Sequence, residues 1–323
     1  MAEAIYKNVS KERKLTAVAA VAAGEIWQLP DGRAAVQQCA TGVSAGDPAT
    51  FYTKGMWTVA KTATMVILDG MPVFWDVSAS KCHYKKVNDK DFFLGTAVGD
   101  AASAATTMDV NINVQPVWDI DFNRDGLLSV PTGTQAVGAF GYPKTFGGAR
   151  SLALTATNEA QCVDMLTVDR FDKGANAIAR FIFRLGTNGS TSDVDINFGI
   201  ANGTSTSDAD AITEHVLLHI DGGTLTILAQ SKDGTTTNAA ATTGVSATAA
   251  AAVADRVELW IDTRNPADVG LYVNSARVIS GTAFRIDGAT GPFGLLAHVE
   301  KISGTATAGP IYVDAMQAHY AEQ

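Results

Sequence analysis

The sequence predicts an all-β protein in two parts, a small barrel-like domain followed by an antiparallel β-sandwich, and three observations carry that expectation. Apolar and polar residues alternate with a period of two wherever the chain has a period. Gly, Asn and Asp turn signals recur between the short apolar runs. No helical periodicity recurs to compete with them. At 323 residues, 46% of them hydrophobic, the chain is long enough to bury two cores.

The chain opens on a basic arm. Lys7, Lys11, Arg13 and Lys14 stand against Glu3 and Glu12, so the first 16 residues carry a net +2 in a protein whose formal charge is −9. The run at 15–23 that follows is only weakly apolar, and acidic residues interrupt the charged part, which reads against a secretion signal. Such an arm can lie along an acidic partner surface or add a strand to its sheet. Gly55-Met-Trp-Thr-Val59, Met65-Val-Ile-Leu68 and Pro72-Val-Phe-Trp-Asp76 then make consecutive short strands, the last two joined by Asp69-Gly70. Residues 92–98 and 110–114 complete five to seven strands in about 115 residues, the size of a small barrel. Trp57, Phe74 and Trp75 are its candidate core or subunit-interface aromatics.

Pro116, Pro131, Pro143 and several glycines mark 116–148 as a linker, which places the domains at 1–115 and 149–323. Beyond it Phe181, Phe183 and Leu185 alternate with Arg180 and Arg184, and Val194, Ile196, Phe198 and Ile200 with Asp195 and Asn197. Further strand runs fall at 216–220, 225–229, 257–261, 271–273, 293–299 and 311–315, separated by Asn202-Gly203, Asp221-Gly222, Asp233-Gly234 and Asp287-Gly288. That spacing is the signature of a sandwich. Residues 235–255, almost wholly Thr and Ala, fit a long loop, a short helix, or an edge strand plus loop; the repeated Ala permits helix, but the adjoining Thr, Asn and Gly oppose it.

Composition removes whole classes of function. With 24 Lys and Arg against 33 Asp and Glu, the balance weighs against nucleic acid or an anionic membrane as the main partner, since both need a basic footprint. No apolar stretch reaches the roughly 20 residues of a membrane-spanning helix. Cys39, Cys82 and Cys162 are too scattered for a disulfide framework or a zinc site and read as buried small side chains. The five histidines are likewise scattered; His215 and His219 would stand about 13 Å apart on one strand face, too far to share a metal, and read as surface or interface residues. No nucleophile elbow, phosphate loop or zinc-protease motif occurs, so the expectation is a protein that is not an enzyme.

Two local patterns suggest ligands. From Asp121, oxygen-bearing side chains fall at Asp121, Asn123 and Asp125, with Gly126 at position 6 and Ser129 at position 9, as in a calcium loop. Thr132 stands where a bidentate Glu belongs, so the competing reading is an Asx-rich turn and no cofactor. In the sandwich, Trp260 shares a strand face with Glu258 and Asp262, opposite Val257, Leu259 and Ile261. A partly exposed Trp beside carboxylates is the composition of a glycan platform.

The first part, through Gly24-Glu-Ile26, Gly55-Met-Trp-Thr-Val59, Gly70-Met-Pro-Val-Phe-Trp-Asp76 and Phe93-Leu-Gly-Thr-Ala-Val98, resembles the small β domain of tailed-phage capsid cement, or decoration, proteins. The second, through residues 125–131, 137–143, 156–161 and 260–268, resembles the concanavalin-like jelly roll appended to some of them. The resemblance implies a structural protein made in the host cytoplasm and carried on the outer surface of the virion head. It implies trimers that bridge subunits of the major capsid protein, with Lys7, Lys11, Arg13 and Lys14 as capsid contacts. A carbohydrate-binding adhesin displayed through the jelly roll is the alternative.

Overall fold

The computed structural model describes residues 12–37, 41–134, 150–186, 192–249 and 255–321. The chain divides into two compact units, Met1–Val117 and Trp118–Gln323. Among the described residues the regular structure is strand throughout, apart from one 3-10 turn at Ala209–Ala211.

Among the described residues the first unit has nine strands: β1 (Glu12–Thr16), β2 (Ile26–Gln28), β3 (Ala34–Gln37), β4 (Pro48–Tyr52), β5 (Met56–Ala60), β6 (Pro72–Asp76), β7 (Lys81–His83), β8 (Phe92–Val98) and β9 (Thr107–Ile112). They form two open antiparallel sheets, ordered β1-β4-β3-β2 and β5-β9-β8-β6-β7, and neither closes on itself as a barrel would. Ala17, Val21, Leu29, Ala35, Ala49 and Phe51 make the core of the first sheet. Asn113, at φ 55°, ties the sheets together, because its amide donates to the carbonyls of Ala34 and Thr53 and accepts from Ala34 N–H. Gly95 permits the close approach of β8 to β9, since a Cβ there would lie 2.2 Å from the Asn111 carbonyl oxygen.

Among the described residues the second unit has fourteen strands: β10 (Ile120–Asp121), β11 (Leu127–Thr132), β12 (Arg150–Leu154), β13 (Gln161–Thr167), β14 (Ala177–Leu185), β15 (Val194–Ala201), β16 (Glu214–Asp221), β17 (Thr226–Asp233), β18 (Thr237–Ser246), β19 (Val257–Asp262), β20 (Gly270–Val273), β21 (Ala276–Arg277), β22 (Gly294–Lys301) and β23 (Ala308–Tyr320). One sheet runs β10-β23-β14-β19-β20-β21, with β12 also on β23, and the other β11-β13-β22-β15-β16-β17-β18. All named pairings are antiparallel. The sandwich core contains Ala179, Phe181 and Phe183 from one sheet and Ile196, Phe198 and Ile200 from the other. Phe183 and Phe198 stack across it at 4.2 Å.

Two boundaries depart from the sequence reading. The segment 116–148, expected as a linker, supplies β10 and β11, which pair β23 and β13 inside the second unit. Its turns and prolines hid the pairing: Pro131 sits within β11, an edge strand, where a missing N–H costs no ladder bond on the open side. The Thr/Ala run becomes β18, the opposite edge of that sheet.

Candidate functional site

The basic arm reaches the described structure only at its end. Lys7 and Lys11 lie outside the described residues, whereas Arg13 and Lys14 belong to β1, opposite Phe51 and Thr50 of β4. Lys14 is exposed, and β1 is the outermost strand of its sheet. Among the described residues β1 pairs on one side only, so Lys14 stands on an edge strand, which suits an acidic extended partner.

The three aromatics divide by face. Trp57 is half-buried on β5; its indole Nε1 donates to the Lys54 carbonyl at 3.4 Å and its ring lies 6.1 Å from Tyr52. Phe74 is half-buried and meets Phe93 edge-on at 5.8 Å. Trp75 points to the other face of β6, is buried, and helps to line a cleft of about 550 Å³ with Ile26, Trp27, Val77 and Phe92, with Glu25 and Lys90 also in its wall.

The calcium-like loop is built as a turn. Asp121 accepts from Asn123 N–H through Oδ1 and from the Gln317 amide through Oδ2, and Asp125 Oδ2 accepts from Asp121 N–H at 2.6 Å. Arg124 pairs with Asp125 at 3.0 Å and, with the hydrogen bonds there, holds its carboxyl below the usual range. Asn123 is exposed, and Ser129 is a residue of β11 opposite Met165. One oxygen of Asp121 and one of Asp125 accept from backbone N–H groups, as in an Asx turn, while their other oxygens receive Gln317 and Arg124. Among the described residues no three His, Cys, Asp or Glu side chains are grouped to hold a metal.

Trp260 corrects the platform expectation. It is 1% exposed, its Nε1 donates to Glu258 at 2.8 Å, and its ring stands 6.2 Å from Tyr272 on β20. Glu258 also receives Arg180 at 2.7 Å, and the Arg180 guanidinium lies over Trp118. The face opposite the core is thus sealed by large side chains, and the indole has no open surface to stack on a sugar. Beside it, Asp314 is the extra residue of a bulge between β14 and β23, and its carboxylate takes Arg184 and Arg256, each at 2.8 Å.

Sequence reasoning missed a polar cluster on the outer face of the seven-stranded β11–β18 sheet. Asp164, His298, Asn197 and His219 stand side by side across β13, β22, β15 and β16. His298 Nδ1 meets Asp164 at 2.7 Å and Nε2 meets Glu300 at 2.9 Å; His219 bridges Asn197 at 3.0 Å and Asp195 at 3.3 Å. Burial alone would lower the His298 pKa, but hydrogen bonds and charge from the two carboxylates outweigh it and hold it at about 9. Burial raises the Glu300 carboxyl in turn, against the opposing pull of His298. His215, His298 and His319 are all buried within the second unit, whereas the sequence reading took them for surface or interface residues. Next to the cluster the buried Lys301 ammonium donates to the carbonyls of Thr155, Thr157, Gly304 and Ala306, pinning two loops, and burial lowers its pKa. Asp164 and His298 are 134 positions apart, so only the alternation of their strands was visible beforehand.

Comparison with known proteins separates the two units. Residues 9–112 match the model of a family described as phage cement protein, which bears out the resemblance read from the first part. No curated protein is similar in sequence. Solved structures resemble the chain at low identity. A legume lectin-like domain from Entamoeba histolytica is 10% identical, covering 62% of this chain and 92% of its own, with a TM-score of 0.40. A protein with a galectin-like fold from Bacillus subtilis is 12% identical, covering 61% and 90%, with a TM-score of 0.38. LamA from Z. galactanivorans, in complex with laminaritriose and laminaritetraose, is 8% identical, covering 62% and 99%, with a TM-score of 0.40. Likeness at these scores says nothing about a ligand or activity for this chain.

Proposed function

We propose that this protein is a phage capsid cement protein, a non-enzymatic component of the virion that binds the outside of the expanded head and stabilises it. The observation that carries the reading is the match of residues 9–112 to the phage cement protein family, which lies inside the first compact unit. The physical logic is mass action: a ligand that binds only the expanded shell stabilises that state in proportion to its occupancy. Trimers bridging major capsid subunits would make three modest contacts act together and raise effective affinity. In this reading Lys7, Lys11, Arg13 and Lys14 guide the first unit onto an acidic shell surface, supported by exposed Lys14 on an open edge strand. Trp57 and Phe74, both half-buried, are the aromatics available to a subunit interface, whereas Trp75 packs inside.

The test is binding of the purified full chain to expanded heads that lack it, read by co-sedimentation and by survival of the heads under heat. Saturable binding with raised heat resistance supports cementing; no association with expanded heads overturns it. The glycan alternative came with the resemblance to the jelly roll, and its one candidate platform residue, Trp260, is buried.

A further inference from the structure

The outer face of the β11–β18 sheet carries a second polar feature, between the 3-10 turn and β18. His215 of β16 stands opposite Lys232 of β17, and Lys232 opposite Thr237 of β18. Ala229 pairs with Ala241 and Ser231 with Asn238, so Gln230 faces both Ala239 and Ala240 across a bulge. Ala209 and Ile212 pack the turn against Leu217 and Leu296, and Asp208 Oδ1 accepts from Asp210 N–H at 2.7 Å, which fixes Asp210 over the sheet. Together these elements enclose a pocket of about 200 Å³, lined by Asp210, His215, Gln230, Lys232, Asn238 and the bulge.

Two of the lining side chains are almost wholly buried and still have an acceptor to spare. His215 is 3% exposed, and its Nδ1 lies 3.0 Å from the Ile212 carbonyl. A carbonyl only accepts, so Nδ1 carries the proton and Nε2 presents a lone pair; burial lowers the pKa and keeps the ring neutral. Gln230 is 4% exposed, and its amide donates to the Asp210 carboxylate, which fixes the amide orientation and leaves Oε1 over. Among the described residues no donor meets His215 Nε2 or Gln230 Oε1, and neither atom is sealed from solvent, so both open on the pocket. Asn238 adds a third acceptor, Oδ1, because its amide is already donating to Ser231 Oγ and the Ala283 carbonyl. Acceptors this deeply buried are seldom left unmet.

We infer that this pocket binds one neutral sugar residue, whose hydroxyls donate to His215 Nε2, Gln230 Oε1 and Asn238 Oδ1 and accept from the Lys232 ammonium. Acceptors outnumber donors in the wall, so the ligand has to bring several donors within a small volume. Hydroxyls do that, each with one O–H and two lone pairs, and they can replace water on all three acceptors at once. Charge favours a neutral occupant, because Asp210 and Lys232 offset one another, with Lys232 Nζ lying 3.5 Å from the Asp210 carbonyl. The volume is below that of a pocket for a drug-sized ligand and suits a single ring. Beside the polar groups the wall is the methyls of Ala239 and Ala240, which offer little apolar surface, so the expected Kd is on the order of 1 mM or weaker. Trp260 belongs to the other sheet of the sandwich, so its burial does not bear on this site. The inference does not depend on the capsid reading.

Amide NMR spectra of the full chain, titrated separately with the methyl glycosides of glucose, galactose, mannose and N-acetylglucosamine and with argininamide, test this beside His215→Phe and Ala240→Phe. His215→Phe keeps a ring and removes the acceptor, whereas Ala240→Phe fills the pocket from an exposed position and removes no hydrogen bond of the wall. The account expects at least one glycoside to shift the signals of Asp210, His215, Gln230 and Ala240 saturably, and to bind about tenfold or more weakly to both variants. Should His215→Phe lower the melting temperature, Ala240→Phe carries the comparison. No shift at the pocket from any of the glycosides at tens of millimolar, binding untouched by both variants, or tighter binding of argininamide than of every sugar overturns the proposal. Because no capsid is present, failure here is distinct from failure of the cement reading.

Discussion

A charged imidazole held between Asp164 and Glu300 makes the stability of the second unit depend on pH. His298 has a folded pKa of about 9 against an ordinary 6.5, so its stabilisation is fully present below about pH 6.5 and is lost as pH rises through about 9. Glu300, also raised, works in the same direction, since ionising it in a buried site costs more as pH climbs past its ordinary range. The melting temperature should therefore fall between pH 7 and pH 9.5, by an amount on the order of 2–3 kcal/mol in stability. His298→Gln should flatten that slope and cost about 3–5 kcal/mol at pH 7, because it strands two buried carboxylates. A slope unchanged in the variant would remove His298 from the account. Lys301→Met should cost about 2–4 kcal/mol by leaving four loop carbonyls to find water, measured by urea unfolding. Neither role was legible in the sequence. The strand run at 293–299 was visible, but His298 was read as a surface or interface residue, and it is buried together with Glu300. The same assumption misplaced Trp260, whose strand and face were read correctly and whose exposure was not.

At the scale of elements, the strands with one apolar face were the most legible. β14 and β15 follow the alternation read from Phe181 to Leu185 and from Val194 to Ile200, and the structure puts those residues in one core. Phe183→Ala should cost about 3–5 kcal/mol by opening a cavity against Phe198, read from chemical unfolding. Short or neutral elements were less legible. β10 and β11 were taken for linker because Pro116, Pro131, Pro143 and several glycines punctuate 116–148, and β18 stayed open because Ala and Thr have no face to reveal. The loop at 121–125 carried half a calcium pattern, and its carboxylates instead receive backbone N–H groups. Calorimetric titration of calcium should give no binding heat, and Asp125→Ala should lower stability by about 1 kcal/mol through loss of the turn. Heat of binding abolished by Asp121→Ala would restore the metal reading.

For the whole molecule, the two-part all-β organisation was readable from period and turn signals, while closure of the first part into a barrel was not, since strand count alone does not fix how sheets join. The function was readable only through resemblance, because a cementing surface needs no motif. Charge guidance by the arm has its own test. Lys11→Glu, Arg13→Glu and Lys14→Glu together should weaken association with expanded heads and remove most of its salt dependence; equal occupancy at low and high salt in wild type and variant would sink that role. The central claim is tested most directly by a cryo-electron reconstruction of the particle that carries this protein. Density for the first unit, contacting the major shell from outside and bridging its subunits, is the expected result. A shell without that density, or density confined to the tail, would contradict the account.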